Sequence, residues 1–279
     1  MKNLRITLAL IILIVSNVTA QQLNIKVEVR GEGTPVLLLP GFTCPGEVWK
    51  ETVDEIAEKN ECHMISYPGF GDVAPIDTLW LETVKQDVIK YLDDNKLKKV
   101  KVIGHSMGGT LALWLAAERN KHIEEVMVVD ALPCMGAVMF PNYSSDQIQY
   151  NTPYNQNLLN MNEAGFKAMA TNFAQFMCLD KSKHKQLVDW MNIADRKTYV
   201  YGYTDLLKVD LREAVGNIAV NVKVLAATHP NKQMIEQNYQ KQYVALKQKE
   251  IIYIDNSAHF IMFDQFNTYI QQVKQFLKQ

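Results

Sequence analysis

The chain has 279 residues, with 29 Lys and Arg against 30 Asp and Glu, 48% hydrophobic residues, 13 Gly and 9 Pro. That composition excludes disordered, collagenous and small disulfide-stapled classes. A formal charge of −1 without any long basic run excludes an electrostatic footprint for nucleic acid or for acidic membrane surfaces, and leaves a small molecule as the expected partner.

At the N-terminus, Lys2 and Arg5 flank the start of an apolar run at residues 6–15, and Ser16-Asn17-Val18-Thr19-Ala20 follows. This is the charged, apolar, small-residue order of a secretory signal. As a helix the run rises about 15 Å, roughly half a hydrocarbon core, so cleavage after Ala20 is expected in place of a membrane anchor. Residues 1–20 are therefore read as a signal peptide, and the mature protein as secreted or periplasmic. Loss of Lys2 and Arg5 leaves 27 basic and 30 acidic side chains. Cys44, Cys62, Cys134 and Cys178 survive cleavage. An even count in an oxidising compartment permits two disulfides in any of three connectivities, and the four read equally well as small buried hydrophobes. None has a Cys/His spacing that suggests a metal site.

Leu23, Ile25, Val27 and Val29 alternate with polar residues up to Gly31-Glu32-Gly33, the pattern of an edge strand and turn. Short apolar runs at 35–39, 62–66, 100–103, 126–129, 222–226 and 251–254 have the length of buried strands. Stretches of helical period lie at 47–59, 79–95, 107–119, 233–246 and 260–277. This alternation predicts a mainly parallel sheet covered on both faces. From 133 to 216 no strand pattern occurs, and Phe166, Met169, Ala170, Phe173, Phe176 and Met177 fall at helical spacing. The expected organisation is a sheet core from 21–132 and 217–279, with a helical cap insertion at 133–216.

Gly104-His105-Ser106-Met107-Gly108 fits G-x-S-x-G, directly after a predicted strand and directly before a predicted helix. The context gives the motif its meaning: a serine on a cramped strand-to-helix bend has its Oγ thrust clear of the sheet, and the flanking glycines leave room for the backbones to meet. The N-terminus of the helix favours negative charge developing beside it.

With Leu39-Pro40-Gly41-Phe42, Tyr67-Pro68-Gly69-Phe70-Gly71 and Ser257-Ala258-His259-Phe260, this elbow makes the chain resemble the α/β-hydrolase fold family from Pro35 onward. The resemblance implies an α/β architecture, a mostly parallel eight-stranded sheet flanked by helices, and a nucleophile–acid–histidine triad at the strands' C-terminal edge. Two positions depart from the common pattern: Pro40-Gly41 stands where His-Gly is frequent, and Tyr67 where Asp is frequent.

A serine needs a base to become a nucleophile at neutral pH. His259 follows the last predicted strand and is the expected base. His63 lies within a strand, His122 and His184 in charged surroundings, and His105 should face away from the nucleophile. His229 follows a strand whose loop usually supplies the acid. That loop, Ala227-Thr228-His229-Pro230-Asn231-Lys232-Gln233, contains no carboxylate. Asn231 could orient an imidazole but not stabilise its charge. Some members of the family place the acid one strand earlier, where Asp130 ends the 126–129 run. Asp130 is the favoured acid, with Asp205 and Asp255 as rivals.

Two N–H donors must converge on the developing oxyanion, and the resemblance assigns them to Met107 and Phe42. Met135, Met139, Phe140 and Tyr143 follow Asp130 and are expected to overhang this edge as an apolar acyl pocket. The expected activity is that of an exported serine hydrolase acting on a small carboxylic ester through Ser106, His259 and Asp130, with no metal or organic cofactor. Aminopeptidases, lactonases, carbon–carbon bond hydrolases and cofactor-free haloperoxidases share this constellation. A non-catalytic binding protein on the same scaffold remains the alternative from another class.

Overall fold

The computed structural model describes residues 22–118, 121–140, 142 and 144–278. The signal peptide predicted at 1–20, Tyr143 of the apolar overhang, and Arg119 at the end of a predicted helix lie outside the described residues.

Seven strands form one sheet: β1 (Lys26–Arg30), β2 (Thr34–Leu39), β3 (Asn60–Ser66), β4 (Val100–His105), β5 (Ile123–Val129), β6 (Asn221–Ala227) and β7 (Lys249–Ile254). Their spatial order is β1-β3-β2-β4-β5-β6-β7. Every neighbouring pair is parallel except β1 with β3. The alternating run at 23–29 thus becomes the antiparallel edge strand. The eighth strand implied by the family resemblance is absent among the described residues. After β1 the chain turns through Gly31 and Gly33 directly into β2, with no second run that could extend the sheet beyond β1.

The central strands are apolar on both faces because helices cover both. Leu37, Leu39, Val102, Val126 and Val128 pack in one core with α2 (Trp80–Asp94) and α3 (Met107–Ala117). Their neighbours Val36, Leu38, Ile103, Met127 and Val129 point the other way, into a core shared with α1 (Lys50–Ile56) and the C-terminal helix Phe266–Leu277. This two-residue alternation of buried side chains is the pleat of a strand buried on both sides. The strand order reverses between β2 and β4, which leaves a crevice at their C-terminal ends, the place where open α/β sheets bind ligands.

Between β5 and β6 the described residues form α4 (Gly136–Met139), α5 (Pro153–Asn160), α6 (Glu163–Met177), α7 (His184–Ile193) and α8 (Arg196–Lys208), with no strand. Backbone hydrogen bonds join this helical segment to the core at Asp195 N to Gly69 O (2.8 Å) and Phe260 N to Met177 O (3.1 Å), and Leu211 N to Pro133 O (3.0 Å) ties its two ends together. The stripe expected on α6 needs correction. Phe166, Ala170 and Ala174 are its buried positions, whereas Phe173 and Phe176 point to solvent. Spacing of four residues selects the inner face, and two alanines there let α7 approach closely.

All four cysteines are buried and none is joined in a disulfide, so the small-hydrophobe reading holds. Burial pushes the Cys44 thiol up to about 12 and Cys62 up to about 11. After β6 come α9 (Lys232–Gln242) and β7, and then α10 (Ile261–Asp264) and α11 (Phe266–Leu277), which replace the single helix predicted at 260–277. Among the described residues no helix is long and apolar enough to cross a membrane.

Candidate active site

Ser106 sits between β4 and α3 with φ 53° and ψ −124°, a conformation that costs a non-glycine residue about 1–3 kcal/mol and survives only where the surroundings impose it. The surroundings are backbone. A Cβ on Gly104 would lie 2.2 Å from the Gly108 carbonyl oxygen, and one on Gly108 would lie 2.1 Å from that of Leu39. Strand, elbow and helix therefore meet without side chains between them. Ser106 N–H donates to Val129 O at 2.9 Å, while Gly109 and Thr110 N–H groups donate to Ser106 O, so the bend is closed on both sides.

The β4–β5 register sets Gly104 opposite Val128 and His105 opposite Val129, which brings Asp130 to the rim beside Ser106. Asp130 has φ 46°, a left-handed conformation that aspartate tolerates better than most residues. Its N–H donates to Leu225 O at 2.8 Å. Its carboxylate is divided in use: Oδ2 lies 2.7 Å from His259 Nδ1, whereas Oδ1 accepts from Ala227 N–H at 2.9 Å and from the Tyr239 hydroxyl at 2.8 Å. His259 and Asp130 are both mostly buried, with side-chain exposures of 17% and 15%, so their contact is partly sheltered from water. With Nδ1–H directed at the carboxylate, Nε2 is the nitrogen left to accept a proton.

Ser106, Asp130 and His259 thus occupy adjacent positions on one rim, at the ends of β4 and β5 and in the loop after β7. The structure joins Asp130 to His259 directly. Among the described residues no hydrogen bond joins the Ser106 hydroxyl to His259.

The rival acids are engaged elsewhere. Asp205 accepts from the Tyr150 hydroxyl at 2.6 Å and from Leu81 N–H at 3.1 Å, fastening α8 to α2. Asp255 pairs with Lys232 at 2.9 Å on the surface. Asn231 caps α9 by accepting from Met234 N–H at 3.1 Å. His229 is exposed.

Met107 N–H is the first of α3, where no intrahelical acceptor exists. Phe42 follows Gly41, on which a Cβ would come within 3.2 Å of the Ser106 Cβ, so the 41–42 backbone passes beside Ser106. The Phe42 ring packs against Phe70 (4.9 Å between centroids), Trp80 (5.9 Å), Tyr199 (5.8 Å) and Tyr203 (5.5 Å). The last two rings stand four residues apart on α8, so core and helical segment share one aromatic wall.

Three supports were not evident in the sequence. Tyr239 reaches Asp130 from α9. His105 lies with its ring 4.7 Å from that of His259, and its Nε2 meets the His259 carbonyl at 3.0 Å. Asp264 accepts from Ala258 N–H at 2.7 Å and from Leu179 N–H at 2.8 Å, tying the His259 loop to the end of α6. Each is an ordinary polar residue in a helix or strand, and no local spacing marks it.

The family described as alpha/beta hydrolase fold matches residues 34–159 of the chain. Solved structures agree with that match over 91% of the chain. The chain has the α/β-hydrolase fold. An enol-lactonase from Burkholderia xenovorans superposes with a TM-score of 0.77 at 16% identity, covering 96% of that chain. An esterase from Exiguobacterium antarcticum has the same TM-score, identity and coverage. A bromoperoxidase from Bacillus anthracis gives 0.77 at 18% identity, with 95% of that chain covered. In sequence, this α/β-hydrolase-fold protein is similar to the pimeloyl-[acyl-carrier protein] methyl ester esterases of Vibrio cholerae, at 22% identity over 200 residues, and of Vibrio atlanticus, at 26% over 202. Each alignment covers 69% of this chain and 74% of the relative.

Proposed function

We propose that the protein is an exported serine hydrolase that cleaves a small carboxylic ester. The observation that carries this reading is the 2.7 Å contact between Asp130 and His259 on the rim where the strained Ser106 elbow emerges. In the proposed reaction, Ser106 Oγ attacks the ester carbonyl as His259 Nε2 takes its proton. Asp130 stabilises the imidazolium that results, without itself being protonated. The Phe42 and Met107 N–H groups receive the oxyanion at the start of α3. Collapse expels the alcohol, which takes the proton back from Nε2, and leaves an acyl-enzyme. Water, activated by the same imidazole, then releases the acid. The aromatic wall of Phe42, Tyr199 and Tyr203 would border the acyl group and favour a compact apolar one.

The esterases among the relatives support ester cleavage, and the signal-like order of residues 2–20 supports export. A carboxylate bonded to His259 supports catalysis over a non-catalytic scaffold, whose one argument was the missing acid after β6. The test is labelling of the mature protein with a fluorophosphonate. Wild type should be modified at Ser106 and Ser106→Ala left unmodified, with p-nitrophenyl esters turned over and amino-acid anilides not. An unlabelled wild type that turns over no ester would overturn the proposal.

A further inference from the structure

Tyr239 and Gln242 on α9 and its C-cap residue Tyr243, at spacing i, i+3, i+4, point at the segment that begins with Asp130. Gln242 clasps the Cys134 backbone, with Oε1 accepting from N–H and Nε2 donating to the carbonyl, each at 2.9 Å. The Tyr243 hydroxyl donates to Ala131 O at 2.8 Å. The Tyr239 hydroxyl alone is directed at a side chain, the Asp130 carboxylate. It is buried, stacks on Tyr243 at 5.9 Å and meets the edge of Tyr253 at 6.4 Å, so its position is fixed by packing.

An aspartate carboxylate rotates in a broad, shallow well about its last torsion, and an imidazole on one side does not choose which oxygen faces it. Here two donors converge on Oδ1, from Ala227 at the end of β6 and from Tyr239 on α9, leaving Oδ2 to His259. Both donors come from the strand and helix that border the loop where the family's usual acid is missing. The loop lacks the carboxylate, and its two flanks hold one that arrives from β5.

We infer that Tyr239 is a positioning residue that orients the Asp130 carboxylate toward His259. The inference rests on the serine-hydrolase reading. Besides Tyr239, the titratable groups facing the Asp130–His259 pair are Tyr243 at the C-cap of α9 and His105 on β4, and Tyr253 on β7 packs behind Tyr239.

The experiment compares Tyr239→Phe with Tyr243→Phe, each of which loses one buried hydroxyl while only the first touches the carboxylate. With p-nitrophenyl acetate, Tyr239→Phe should lower kcat roughly tenfold at an unchanged KM, the scale of a hydrogen bond to a charged group. Tyr243→Phe should keep kcat within about twofold, since its bond is to a neutral backbone carbonyl. In the free protein, the downfield proton resonance of His259 Nδ1–H should move in Tyr239→Phe and stay in place in Tyr243→Phe. Fluorotyrosine placed at 239, which keeps ring and hydroxyl, should restore kcat, and it supplies the resonance test if Tyr239→Phe does not fold. Equal effects from the two phenylalanine variants, or an unmoved resonance, would overturn the inference while leaving Ser106 labelling intact. Loss of wild-type labelling would instead remove the hydrolase reading, and the resonance would still report whether Tyr239 orients the pair.

Discussion

His105 Nε2 lies 3.0 Å from the carbonyl oxygen of His259, with the two imidazole rings 4.7 Å apart and inclined at 45°. A carbonyl only accepts, so Nε2 carries the proton and Nδ1 is the bare nitrogen, buried without a partner. The residue before the candidate nucleophile thus ties the end of β4 to the loop of the candidate base. The Phe260 ring packs on both members of this pair, 4.8 Å from the His105 ring and 5.7 Å from that of His259.

That arrangement makes stability depend on pH. Burial, and next the adjacent His259, push His105 well below the usual histidine value of 6.5, and burial also lowers His63. The unfolded chain takes up protons near 6.5 that the folded chain refuses, so these groups leave stability whole above that pH and erode it as pH falls toward the depressed folded values. Each contributes a slope of up to about 1.4 kcal/mol per pH unit. Urea midpoints measured from about pH 8 to about pH 5 should decline, less steeply in His63→Asn. A flat profile would contradict the buried neutral assignment.

Asp130→Asn should fold, because Tyr239 and Ala227 can still donate to the carboxamide oxygen. Its amide nitrogen cannot accept from His259 Nδ1–H or balance an imidazolium. Ester turnover should fall by about 10⁴ with little change in KM. Steady-state kinetics alongside circular dichroism check both parts, and near-normal turnover would move the acid elsewhere.

Asp205→Asn should show the opposite balance. Asp205 holds Tyr150 and Leu81 together and touches no residue of the candidate triad. Weakening these bonds should lower stability by about 1–3 kcal/mol while kcat keeps its order of magnitude. Thermal melting and the same ester assay separate the two effects.

The four buried thiols should be silent in the native protein. Burial holds Cys44 and Cys62 at about 12 and about 11, far from forming thiolate at neutral pH, and shields them from reagent. A thiol-reactive disulfide reagent should titrate none before unfolding and all four after it. Added reductant should leave the melting temperature unchanged, whereas a fall would reveal a disulfide.

Residue order alone determined the parts of this protein whose physics is local. Alternation and apolar runs placed the seven strands, because burial on one or both faces writes itself into neighbouring positions. The glycines around Ser106 announced the elbow, because only a bend without Cβ atoms brings those backbones together. The place of His259 after the last strand marked it as the expected base. Packing decided the rest. Position after the 126–129 run favoured Asp130 over Asp205 and Asp255, but what each carboxylate meets came only with the fold, when the β5–β6 register and α9 delivered Ala227 and Tyr239 to Asp130. The inner face of α6 and the state of the cysteines likewise turned on neighbours from distant segments. Periodicity says that a side chain is buried, but what it meets there is set by elements far away along the chain.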